Sequence, residues 1–187
     1  MTTFDDIYYV RQVRDGNTEA FVHIVHHYQR MIFGMVGRII PNNTDTEDVV
    51  QEIFIKTFQS IGKFREDAEF STWIYRIAYN TTISYLRKQK HLSSVEGKFE
   101  NLPEEDIDDT IDSITLEQRL TYLETVLAKL SPDDAMIVTM FYMKDLSIRT
   151  ISEIAGMSEG NIKVKLHRIR KFMNFEINKL IKDEAAG

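Results

Sequence analysis

The chain has 187 residues, 43% hydrophobic and 28% charged, with a net charge of −6 and no cysteine. That length accommodates one medium domain or, as read here, two small ones, and the missing thiols exclude disulfides and thiolate metal sites, in keeping with a reducing cytoplasm. No basic segment followed by an apolar run opens the chain and no stretch reaches bilayer length, so neither secretion nor membrane insertion is expected.

Phe4, Tyr8, Tyr9 and Val10 read as a short packing helix before the turn Asp15-Gly16-Asn17. From Thr18 to Ile40 apolar residues recur at helical spacing (Phe21, Val25, Tyr28, Ile32, Met35, Ile39) until Pro41-Asn42-Asn43 interrupts them. Thr44 or Asp45 can cap a second helix that carries Val49, Val50, Ile53, Phe54 and Phe58 to Gly62. A loop, Lys63 to Glu69, leads to a third helix opened by Ser71 and Thr72 and closed by the basic cluster Arg87 to His91. Residues 92–114 are acidic, contain Gly97 and Pro103 and show no sustained period, which predicts a flexible linker. Three or four further helices are expected: Leu116 to Leu130, a segment after Ser131-Pro132 to Met143, a short one from Ser147 to Ala155, and a long one from Ser158. The predicted fold is all-α: two small helical domains, 1–91 and 115–187, joined by an acidic linker, with a helix-turn-helix in the second.

The net negative charge alone argues against nucleic acid as a partner, because phosphate contacts need Lys and Arg. Its distribution argues the other way. Acid crowds between Glu96 and Glu117, whereas Lys163, Lys165, Arg168, Arg170 and Lys171 gather near the C-terminus. Ser147 caps a short helix with Ile148, Ile151 and Ile154 inward, and Gly156-Met157-Ser158 turns into a second helix with Ile162, Leu166, Ile169 and Met173 on one face. Asn161, Val164, His167, Arg168 and Lys171, with Lys163 at the margin, lie opposite. A basic outer face on the second helix suits a major groove, where Arg and Lys reach guanine or phosphate and Val164 can meet a thymine methyl. A solvated charged face is the plainer alternative.

In the first half Asp48, Gln51, Glu52 and Ile55 share one side of the second helix, either as a solvated face or as a carboxylate pair. Arg76, Asn80, Ile83 and Arg87 form a stripe on the third helix beside the aromatic loop from Phe64 to Ser71. Cations, an amide and rings in that order suit a separated DNA strand. His23, His26 and His27 have the spacing for two imidazoles on one metal but lack a carboxylate on that face, so no metal, cofactor or catalytic residue is expected.

The runs Asp45 to Lys56 and Phe70 to Asn80, followed by the C-terminal helix-turn-helix, resemble the two conserved domains of bacterial sigma-70 factors. The absence of a domain between them resembles the small extracytoplasmic-function (ECF) group. The resemblance implies a promoter-specificity subunit and not an enzyme. Asp48, Gln51, Glu52 and Ile55 would meet the β′ coiled coil of core RNA polymerase. Phe64, Phe70, Ser71, Arg76, Asn80 and Arg87 would capture and open the −10 element. Asn161, Lys163, Val164, His167, Arg168 and Lys171 would read the −35 element. It further implies contact with the β flap, promoter DNA as ligand, a linker threading toward the active-site and RNA-exit channels, and an anti-sigma factor that masks the polymerase-binding surfaces. Ser152 stands where the family has a small apolar residue, and Asn161 where it usually has Thr. A stand-alone helix-turn-helix regulator, or a nuclease using Asp48 and Glu52 with His26, are the competing readings.

Overall fold

The computed structural model describes residues 5–89 and 115–185, and every regular element among them is helical. The expected linker, 92–114, and the last residues of the basic cluster, Lys90 and His91, lie outside the described residues. Helix α1 (Asp6–Arg14) starts where the Asp5 carboxylate accepts the Tyr8 amide, and α2 (Phe21–Val36) follows a single 3-10 turn. Helix α2 turns Ile24, Tyr28, Ile32, Met35 and Val36 inward. It stops at Val36, short of the expected Ile40, because the amides of Ile39 and Ile40 both fold back onto the Val36 carbonyl.

Helix α3 (Asn43–Ser60) is capped by Asn42, whose side chain accepts the Thr44 amide at 2.9 Å, two to three residues before the expected cap. Helix α4 (Phe70–Gln89) lies along α3 and buries ten of its residues, from Phe70 to Leu86. The buried hydroxyls of Thr57 and Thr82 donate to the carbonyls of Ile53 and Ala78 one turn earlier, so these polar groups enter the core already satisfied.

The second half comprises α5 (Leu116–Leu127), α6 (Pro132–Val138), α7 (Ile148–Ala155) and α8 (Glu159–Ala185). Thr115 and Gln118 form a reciprocal capping box on α5, while Ser131 and Ser147 cap α6 and α7. Helix α6 runs on into a π-helical segment, Thr139–Met143. Met136, Ile137, Met140, Ile151, Ile154 and Ile162 are fully buried, each stabilising by about 1.5–3 kcal/mol relative to exposure.

The two halves share one hydrophobic core. Helix α4 packs against α3 within its own half and against α6 and α7 of the other. A polar clasp reinforces the junction: the Tyr79 hydroxyl donates to Asp133 at 2.7 Å, and Arg87 pairs with the same carboxylate at 3.1 Å. Burial first, then the Asp133 carboxylate, keeps the Tyr79 phenol protonated well beyond its ordinary range.

Candidate nucleic-acid interface

The helix-turn-helix is built locally. Ile151 and Ile154 of α7 and Ile162, Leu166 and Ile169 of α8 bury the facing sides of the two helices. Gly156 between them adopts φ +68°, the left-handed conformation that ends α7 and reverses the chain. Ser158 accepts the Asn161 amide at 3.2 Å and so caps α8. Burying the isoleucine seam leaves Asn161, Lys163, Val164, His167 and Arg168 exposed, with Val164 50% accessible despite its apolar side chain. Lys171 is half-buried. Lys165 is anchored inward by a 2.7 Å ion pair with Asp134, a buried carboxylate that also accepts from Ser131.

The loop between α3 and α4 is folded differently from expectation. Phe64 and Phe70 are buried, their rings 5.3 Å apart and each about equally close to Trp73, at 5.4 and 5.5 Å. Their faces are taken by core neighbours and are not offered to a base, which corrects the reading of these two residues as direct contacts. The aromatic cluster instead shapes the backbone of the loop from inside. Ser71 is half-buried and donates to Glu69 at 3.3 Å. Arg76 and Asn80 are exposed, and Arg87 is exposed while paired with Asp133.

Asn80 opens onto a groove between α3 and α4 of about 420 Å³, lined also by Lys56, Gln59, Ser60, Lys63, Ile77, Thr81 and Ser84. That volume falls in the range of small-ligand clefts, about 300–1,000 Å³. Its lining offers two ammonium groups, two amides and three hydroxyls around one apolar side chain, a set that can hydrogen-bond a base edge and neutralise phosphate. Lys56 is held at its rim by Glu52 at 2.7 Å and by Thr81 at 3.4 Å.

On the outer side of α3, Asp48, Gln51, Glu52 and Ile55 are all exposed, and Ile55 (49% accessible) and Phe58 (38%) form an apolar centre within a polar rim. An exposed apolar pair rimmed by charge is a common protein-docking surface. Two of the histidines of α2 meet aromatic rings: His23 stacks on Tyr9 at 4.6 Å and His27 meets the edge of Tyr28.

Two family models match the chain, Sigma-70 region 2 over residues 24–92 and Sigma-70 region 4 over residues 120–173. The ECF RNA polymerase sigma-E factor of Haemophilus influenzae is 31% identical over 180 residues, covering 92% of this chain and 95% of that one. The chain belongs to the ECF RNA polymerase sigma factors. The ECF sigma factor SigW of Bacillus subtilis is 29% identical over 180 residues, covering 91% of this chain and 96% of that one. Solved structures share the fold of this sigma factor: CnrH in complex with the cytosolic domain of CnrY (TM-score 0.64, 19% identity, 95% and 97% covered) and RpoE in complex with the anti-sigma factor NepR from Bartonella quintana (0.63, 19%, 84% and 96%).

All three surfaces of the sigma factor fall within its matched regions, the groove and the α3 face in region 2 and the basic face of α8 in region 4. The groove residues Lys56, Gln59, Ser60 and Ser84 were not legible beforehand. Lys56 and Ser60, like Asn80 and Ser84, are one turn apart on their helices, but only the packing of α3 on α4 turns the two pairs toward each other.

Proposed function

We propose that this alternative sigma factor, which directs transcription initiation while the polymerase performs the chemistry, divides recognition between two separate surfaces. Asp48, Gln51, Glu52 and Ile55 bind the β′ coiled coil of core RNA polymerase, Phe58 adding apolar area beside them, and the C-terminal half meets the β flap. The groove of Lys56, Lys63 and Asn80, with Arg76 and Arg87 nearby on α4, captures the −10 element and aids its melting. Asn161, Lys163, Val164, His167, Arg168 and Lys171 read the −35 element. The protein acts in the cytoplasm, with the domain division at 1–91, 92–114 and 115–187.

The observation that carries this reading is the coexistence, in one chain, of an exposed basic recognition face and a second, cation-lined polar groove on a different pair of helices. A stand-alone helix-turn-helix regulator needs the first and has no use for the second. Elements centred near −10 and −35 are roughly 85 Å apart at about 3.4 Å per base pair. A 187-residue globule has a radius of gyration of about 16 Å. The two halves therefore part on the promoter, breaking the Asp133 clasp and releasing Arg87 toward DNA. An anti-sigma factor, of the kind present in the solved relative bound to NepR, opposes activity by covering the polymerase-binding surfaces.

Promoter-dependent transcription by purified core polymerase, with and without the protein, tests the proposal. Initiation at a defined start only when the protein is added is expected; no binding to core and no new start on any candidate promoter would refute it.

A further inference from the structure

The loop that contributes Lys63 to the groove is gripped from the N-terminal helix. Arg14, the last residue of α1, directs its guanidinium at three acceptors of that loop: Nε donates to the Ile61 carbonyl at 3.3 Å, Nη2 to the Phe64 carbonyl, and Nη1 pairs with Glu66 at 2.9 Å. Its carbon lies 5.9 Å from the centre of the Phe64 ring. Arg11, one turn earlier, takes the other Glu66 oxygen at 2.7 Å. Glu66 itself sits at φ +61°, a left-handed conformation that a non-glycine residue adopts only when its surroundings hold it there.

Lys63 lies between the two carbonyls that Arg14 grips and lines the groove, whereas Arg14 does not. Two backbone points flanking Lys63 are thus fixed by one rigid planar donor anchored on a different helix. Lysine cannot substitute for this, since a single ammonium on a flexible stem does not present a fork to three separated acceptors.

We infer that Arg14 is a positioning residue for −10 recognition: it fixes the 61–66 loop and thereby sets Lys63 in the groove beside Asn80. The inference rests on the reading of that groove as the −10 site. It assigns to the N-terminal helix, which makes no DNA contact in that reading, a share of promoter specificity.

The test measures transcription by the reconstituted holoenzyme from a cognate promoter and from one with a substituted −10 base, alongside core affinity. Arg14→Ala lowers the ratio of the two rates by about tenfold, the worth of about one net hydrogen bond, with core affinity unchanged. Arg14→Lys does not restore it. Arg14→Ala combined with Lys63→Ala is no worse than Lys63→Ala alone, because the first acts through the second. Should Arg14→Ala fold poorly, Glu66→Gln, which weakens the same grip, gives a smaller loss of the same kind. Normal discrimination in these Arg14 and Glu66 variants, or additive losses with Lys63→Ala, overturns the inference. If Lys63→Ala and Asn80→Ala both leave discrimination intact, the groove reading itself fails.

Discussion

The outer face of α8 and the α3–α4 groove, the two surfaces proposed to meet DNA, are made in opposite ways. The first is assembled between Ser147 and Lys171, from one seam of aliphatic side chains, one left-handed glycine and two serine caps, and its outer face follows automatically from what the inner face buries. The second needs α3, α4, the intervening loop and a clamp from α1 before its residues meet. A surface of the first kind tolerates separation from the rest of the molecule. One of the second kind depends on tertiary structure remote from the groove itself, and so can be tuned from a distance.

The strongest perturbation of this contrast is at the root of the recognition helix. Lys165→Met leaves the buried Asp134 carboxylate without its cation and is expected to cost about 2–3 kcal/mol, read by denaturant unfolding. Because the core is continuous, fluorescence of Trp73 in the other half should report the same transition. Separate transitions would show that the halves are energetically independent.

Next in size are the residues proposed to contact DNA. Arg168→Ala is expected to weaken use of the −35 element by about 1–3 kcal/mol and leave −10 discrimination intact. Asn80→Ala is expected to slow open-complex formation by about tenfold, the worth of one buried polar contact, with core affinity unchanged. Asp133→Asn should act more weakly, since Arg87 is largely exposed: below about 1 kcal/mol, seen as a larger radius in small-angle scattering as the halves part.

The smallest effect is one of pH. The Arg11 hydrogen bond, with the charges of Arg11 and Arg14, holds the Glu66 carboxylate below its ordinary value of 4.5. A lowered folded value means that the brace contributes fully above 4.5 and is lost as pH falls through the folded value. Amide exchange in the 61–66 loop should therefore show no change in protection between neutral pH and 5, and loss of protection in stronger acid.

The same contrast explains what could be read in advance. The helix order, the turn at Gly156 and the exposed set Asn161 to Arg168 were legible because caps, glycine and helical period are local signals. The exposure of Asp48, Gln51, Glu52 and Ile55 on one side of α3 was legible for the same reason. The rings Phe64 and Phe70 were misjudged because an aromatic residue in a loop looks alike whether it faces solvent or the underside of Trp73. The groove partner Lys56, the grip of Arg14 on residues some fifty positions away, and the Asp133 clasp depend on which helices lie side by side, and no short-range pattern carries that information.

The most direct test of divided recognition is a crossed experiment. Holoenzymes carrying Arg168→Ala or Asn80→Ala transcribe from promoters altered in either the −35 or the −10 element. The Arg168 variant should lose its response to −35 changes alone and the Asn80 variant its response to −10 changes alone. Equal loss of both responses in both variants, or a loss traced entirely to core affinity, would contradict a division of labour between the two surfaces.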